Sequence, residues 1–143
     1  MTDSAANPLP AGVRAIAALY AACGAYLAIL GAFMLAGPGV IPMSAGAPLL
    51  FGLELGGPYM FLLMGLAGGA VAFGLLKRNN ITRHVAMLIA ITGIVMLVPP
   101  VSSATVIANL KTLATAGAGI IVRVVVAWYL ARAEVVEEFR RTK

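Results

Sequence analysis

The sequence predicts an all-α membrane protein, a bundle of four transmembrane helices, and two observations support this prediction. Of the 143 residues, 62% are hydrophobic and 10% are charged, whereas soluble domains are about 45–50% apolar and about 25% charged. The chain also contains four long apolar stretches, and a helix needs about 20 mostly apolar residues to span a bilayer. We therefore expect residues 1–143 to form one transmembrane domain.

The four predicted spans are residues 15–36, 58–76, 82–98 and 114–131. The first is expected to remain in the protein, because its apolar run is longer than the about 7–15 residues of a signal peptide. Residues 132–143 are expected to continue the fourth helix as a solvated helical tail. In this tail Glu137 and Arg141 have the spacing of an i,i+4 ion pair.

The basic residues predict the orientation of the bundle. If the chain crosses the membrane four times, eight of its ten Lys and Arg lie on one side and Lys111 alone lies on the other. Cytoplasmic loops carry such an excess, so both termini are predicted to be cytoplasmic. The residues flank helix ends without a basic domain around them, which argues against nucleic-acid binding and is compatible with contacts to anionic lipid. They are Arg14, Lys77, Arg78, Arg83, Arg132, Arg140, Arg141 and Lys143.

Small residues at helical spacing predict where the helices contact each other. Helices in a membrane associate through close packing, and small residues mark the contact faces. The first helix carries such a stripe at steps of three and four, which keeps it on one face. The candidate packing residues are Ala17, Ala21, Gly24, Ala28 and Gly31 in the first helix, Gly65, Gly69 and Ala72 in the second, and Ala86, Ala90 and Gly93 in the third.

Two connecting segments are expected on the outer side. Residues 37–57 are apolar but interrupted by prolines and glycines, so they cannot form one helix. They are expected to fold onto the helix ends with a short helical turn near residues 49–53, either as packing or as a docking surface. Pro99 and Pro100 are predicted to end the third span. A short amphipathic helix, capped by Ser102 or Ser103, is then expected to lie on the membrane surface.

Arg123 is the strongest candidate for a functional residue. It lies near the middle of the fourth span, where inserting an arginine costs about 2.5–3.5 kcal/mol. Such a side chain normally faces a partner or a wet cavity. Three partners remain open: Glu54 in the outer loop, an anionic ligand or lipid headgroup, and another subunit.

The sequence shows no recognisable catalytic, metal or cofactor site. His84 is the sole histidine, expected to be solvated at a helix end, and Cys23 is the sole cysteine, expected to be an apolar filler. No nucleophile–base–acid set, phosphate loop or paired carboxylates occur in the spans. An enzyme in its own right is therefore not expected, no metal site is predicted, and any cofactor is unknown.

Several features resemble small four-helix bacterial inner-membrane proteins of unknown function, including the DoxX-like group. They are a basic residue that opens helix one, Glu54 followed three residues later by Gly57, the run GLLKRNNITRHVAML at residues 74–88, and the ending WYLARAEVVEEF. The resemblance implies an accessory partner of a membrane oxidoreductase.

Two functions are expected from these observations. The first is a non-catalytic membrane subunit or accessory protein that packs into a larger complex, with other membrane subunits or a second copy as partners. The second is a small carrier or a lipid- or quinone-binding protein in which Arg123 faces a ligand cavity.

Overall fold

The computed structural model describes residues 9–37, 39–50, 53–106 and 110–140. Within these ranges the chain forms helices and turns and no strand. The helices are α1 (Ala11–Ala36), a single turn α2 (Ala47–Leu50), α3 (Gly57–Leu76), α4 (Asn80–Val106), α5 (Leu110–Ala131) and α6 (Ala133–Arg140). Two 3-10 turns, Met43–Gly46 and Leu53–Gly56, flank α2.

Four of these helices are long and apolar enough to cross a membrane, which confirms the predicted all-α class and the number of candidate spans. The apolar segments are Ala11–Ala36, Gly57–Leu76, Asn80–Pro99 and Leu113–Ala131. Each has at least 19 residues, and a helix of about 17–25 residues can span a bilayer core. Their surfaces expose large apolar side chains such as Leu66 and Ile121, as is normal for helices that face lipid rather than water.

The closest helix contact is between α1 and α3, where backbones touch through glycines. A Cβ added at Gly24 would lie 2.8 Å from the Gly65 carbonyl oxygen, and one added at Gly65 would lie 2.7 Å from the Ala28 amide nitrogen. A Cβ at Gly68 would lie 3.1 Å from the Gly24 Cα. Such close approach is the arrangement that small residues permit between membrane helices.

The structure places the candidate packing residues on different faces. Ala17, Gly24, Gly31, Gly65, Ala72, Ala86 and Ala90 are buried, and Ala28 and Gly93 are half-buried. Ala21 and Gly69 instead are exposed, and a Cβ at Gly69 would meet no atom within 4 Å. Gly68, adjacent to Gly69, makes the contact with α1 because it lies 100° further round the helix.

The turn between α3 and α4 is shaped by its asparagines and by Arg78. Arg78 adopts a left-handed conformation with φ 56°, which is uncommon for a residue other than glycine. The next amide, that of Asn79, donates a 2.9 Å hydrogen bond to the Gly74 carbonyl. The Asn79 side chain accepts a 3.0 Å hydrogen bond from the Ile81 amide and so caps the start of α4.

Both described ends of the chain lie at one end of the bundle, which we call the basic end because Arg14, Lys77, Arg83 and Arg132 lie there. All four long helices and α6 contribute to one buried cluster at this end. Its members are Val13, Ile16, Ala17, Val71, Leu75, Ala86, Ala90, Val126, Leu130, Val135 and Phe139.

The chain does not continue α5 as a solvated helix, in contrast to the sequence prediction. It bends at Arg132 and forms α6, whose Val135 and Phe139 are only 2% and 1% exposed. These two residues are four apart and lie on one face, so α6 can cover the apolar interior of the basic end. Glu138 of α6 forms an ion pair with Arg78. The predicted pair of Glu137 with Arg141 lies outside the described residues.

The opposite end, which we call the loop end, has a second buried cluster. It contains Leu27 and Met34 of α1, Phe61 of α3 and Leu50 of α2. The Tyr26 hydroxyl donates a 3.1 Å hydrogen bond to the Ala45 carbonyl. The connection between α1 and α3 therefore packs on the ends of these two helices.

The third long helix extends further than the sequence predicts. α4 passes through Pro99 and Pro100 and ends at Val106, and α5 begins at Leu110. Within the described residues there is therefore no separate outer amphipathic helix. The first residues predicted for it belong to α4, and the last belong to α5. Proline lacks an amide donor and its ring clashes with the carbonyl of residue i−4, so α4 continues through two adjacent prolines against their local propensity.

Candidate functional site

The Arg123 side chain lies between α4 and α5 and is half-buried. Its Nη1 donates a 3.1 Å hydrogen bond to the Gly119 carbonyl, one turn earlier in α5. Side chains of a helix lean toward its N-terminus, so the guanidinium extends from the helix middle toward the loop end. A half-buried charge in the centre of an apolar span is the least expected group in such a bundle.

Two glycines make the space that the guanidinium occupies. A Cβ at Gly93 of α4 would lie 2.9 Å from Arg123 Cδ and 3.4 Å from Cζ. A Cβ at Gly119 would lie 3.2 Å from Arg123 Nη1. Any side chain at Gly93 would therefore displace the arginine. The sequence predicts that Gly93 packs against another helix, and its neighbour in the structure is the arginine itself.

Helix α1 supplies polar groups near this site. The guanidinium lies within electrostatic range of the Tyr20 hydroxyl and the Cys23 thiol. The Tyr20 hydroxyl donates a 2.8 Å hydrogen bond to the Ala86 carbonyl of α4. Its oxygen lone pairs remain available to accept a hydrogen bond. Tyr20 thus links α1 to α4.

The proposed partner Glu54 cannot be assigned from the geometry, because its side chain lies outside the described part of the structure. Its backbone lies in the 3-10 turn Leu53–Gly56 at the loop end. The pairing of Glu54 with Arg123 therefore stays a prediction.

A second buried arginine lies at the basic end and was expected only to set topology. Arg83 is 5% exposed, and its Nη1 donates a 3.0 Å hydrogen bond to the Leu130 carbonyl near the end of α5. Its Nε donates to the Asn80 side chain at 3.1 Å. Arg83 therefore fastens the start of α4 to the end of α5, where α5 has carbonyls without helical partners.

His84 is exposed and held by two neighbours. Its Nδ1 lies 2.8 Å from the Asn80 carbonyl oxygen, and its Nε2 lies 3.3 Å from Arg83 Nη2. Since the guanidinium can only donate, the arrangement fits a neutral ring with the proton on Nδ1. Among the described residues, no three His, Cys, Asp or Glu side chains are grouped as metal ligands would be.

Comparison with known proteins adds no further information on this site. No protein-family model, curated protein or solved structure matches the chain.

Proposed function

We propose that the protein is a non-catalytic integral membrane subunit or accessory protein that packs into a larger membrane complex. The observation that carries this proposal is the incomplete burial of Arg123 by the chain's own helices. A charge at the centre of a span is costly in contact with lipid. A neighbouring membrane protein that covers α5 would remove that contact with lipid.

The coverage of the four spans supports the same proposal. In the most apolar part of each span, 17% of the residues are buried in α5, against 28% in α1 and in α3. The helix with the arginine is thus the one that the rest of the chain covers least. This is the helix that we expect a partner to cover.

The orientation of the protein belongs to the same proposal. The basic end carries most of the described Lys and Arg residues, and such residues are in excess on the cytoplasmic side of membrane proteins. We place both termini in the cytoplasm and the connection between α1 and α3 outside. The DoxX-like resemblance supports a bacterial inner membrane and a complex that carries out redox chemistry.

The test is purification of the full chain from its own membrane in mild detergent, followed by mass spectrometry of the polypeptides that purify with it. We expect partner polypeptides with the natural chain and their loss with Arg123→Gln. The matched control is Val124→Ala, which shortens the adjacent, 48% exposed side chain and should keep the partners. A chain that purifies without other polypeptides, or Arg123→Gln that keeps them, would contradict the proposal.

The second candidate is a small carrier or a lipid- or quinone-binding protein. It is favoured by the half-buried Arg123 guanidinium near the middle of α5, since this group only donates hydrogen bonds and could bind a carbonyl or anionic headgroup. In the same purification this function predicts a self-contained oligomer that holds a lipid-like molecule. That molecule should be lost with Arg123→Gln.

A further inference from the structure

An apolar groove runs between α1 and α5 in the half of the bundle nearer the basic end. It has a volume of about 370 Å³ and is open on the side that would face lipid. Apolar side chains form its surface, among them Ala15, Ile16 and Leu19 of α1 and Val122, Val125 and Val126 of α5. The groove does not include Arg123.

The end of this groove nearer the basic end is closed by Tyr129. Tyr129 lies three residues after Val126, one turn further along the same face of α5. Its ring occupies the place where a Cβ of Gly12 in α1 would be. A chain-like molecule in the groove therefore cannot continue between the two helices at this end.

A positively charged side chain, that of Arg132, lies beside the end of the groove that Tyr129 closes. Trp128 lies three residues after Val125, on the outer side of the groove, and is 60% exposed. The Arg132 guanidinium carbon lies 4.7 Å from the centre of the Trp128 ring, a distance typical of a cation–π contact. Trp and Arg at a helix end mark the level of the lipid headgroups, so this positive charge lies where a phosphate would be.

We infer that the groove between α1 and α5 binds one phospholipid with an anionic headgroup, its acyl chain in the groove and its headgroup on Arg132. The charge of Arg132 selects the anionic headgroup, since basic residues near the surface attract anionic lipids. The size of the groove favours an acyl chain, because a helix with its side chains is about 10–12 Å wide and would lie over the groove rather than in it. This inference does not rest on the proposed function.

Helix α3, which does not line the groove, offers a matched control. Lys77 at the end of α3 lies with its Nζ 4.4 Å from the centre of the Phe73 ring. Phe73 is 60% exposed, as Trp128 is. Lys77 thus reproduces the cation and the aromatic ring, and it does so on α3, which does not line the groove.

The single tryptophan of the chain allows a direct measurement. The full-length protein is reconstituted in phosphatidylcholine vesicles that contain equal mole fractions of either brominated phosphatidylglycerol or brominated phosphatidylcholine, and quenching of Trp128 fluorescence is compared. We expect an about fivefold preference for brominated phosphatidylglycerol, the size expected for one phosphate–guanidinium contact at a membrane surface.

The variants decide whether the preference comes from this groove. Arg132→Gln and Ala15→Phe, which fills the groove, should each remove the preference, and Lys77→Gln should leave it unchanged. Circular dichroism checks that each variant keeps its helical content. The inference is overturned if the natural chain shows no preference, or if Lys77→Gln and Arg132→Gln lower it equally through general surface charge. Quenching by neither lipid would also overturn it, because a second copy of the chain would then cover the groove.

Discussion

The contact of α1 with α3 predicts opposite behaviour for two glycines that are four residues apart in α3. Gly65→Ala would place a methyl group 2.7 Å from the Ala28 amide nitrogen and 2.8 Å from the Gly24 carbonyl oxygen. Both are backbone atoms, so the two helices would have to separate. Gly69→Ala would place the same methyl group in open space, with no atom within 4 Å.

The difference between the two variants isolates the steric effect. Replacing glycine by alanine in a helix interior favours the helix by about 0.8–1.0 kcal/mol, and both variants gain this. Overpacking of a tight contact costs about 1–3 kcal/mol, and only Gly65→Ala incurs it. We therefore expect Gly65→Ala to be about 1–3 kcal/mol less stable than Gly69→Ala, and Gly69→Ala to be at least as stable as the natural chain.

The assay is equilibrium unfolding in mixed detergent micelles, followed by circular dichroism, with the three proteins at equal concentration. Equal stability of the two variants would refute the close contact of α1 with α3. A loss of stability in Gly69→Ala that depends on protein concentration would show that Gly69 lies in a contact between copies.

Three further predictions follow from the basic end and from the arginine. Phe139→Ala should destabilise the protein by about 3–5 kcal/mol, as for other fully buried phenylalanines. Thermal unfolding in detergent measures this loss. A loss of stability below about 1 kcal/mol would mean that α6 does not pack on the bundle. A double-mutant cycle with Arg78→Gln and Glu138→Gln should give a coupling of about 0.2–1 kcal/mol, since the pair is partly exposed, and zero coupling would contradict the ion pair. Gly93→Ala should displace the Arg123 side chain and abolish co-purification of partners. It should lower the melting temperature less than Gly65→Ala does. Partners that still purify with Gly93→Ala would contradict this prediction.

The fold class was predictable because the bilayer constrains it physically. Every backbone group in lipid must find a partner within the chain, and helices of about 20 apolar residues satisfy this requirement. The four apolar stretches therefore lie in four helices, of which α4 extends from the predicted end at residue 98 to Val106. The faces of these helices were harder to predict, since Gly65, Gly68 and Gly69 are equally small and only the direction of α1 decides which of them it meets.

The C-terminal ends of α4 and α5 were predicted less well. The reason lies in local propensity at α4 and in tertiary packing at α5. At Pro99 and Pro100, local propensity argues for the end of a helix, yet α4 continues to Val106. At Arg132 the sequence contains no proline or glycine to signal a bend. The sequence signal for a docked helix was the apolar pair Val135 and Phe139, because apolar residues four apart predict a helix that lies against a core.

Of the candidate site, the sequence predicted Arg123 but not the residues that surround its side chain. A central arginine in an apolar run is recognisable from the sequence alone, because a charged residue in the middle of a span is rare and costly. Its neighbours Gly93 and Gly119 carry no chemical signal, since glycine contributes space rather than a functional group. Only the pairing of α4 with α5 shows that these two glycines accommodate the guanidinium.

The two proposed contacts of α5 lie on different halves of that helix, and they can be separated experimentally. The Arg123 side chain leans toward the loop end, where Ala114 and Ala118 are exposed and a Cβ at Gly117 would meet no atom within 4 Å. A partner that shelters the arginine has to approach α5 on this half. The lipid groove and Arg132 lie on the other half, nearer the basic end. Since the two halves share no side chain, Arg123→Gln should remove partners and keep the preference for anionic lipid, and Arg132→Gln should do the reverse.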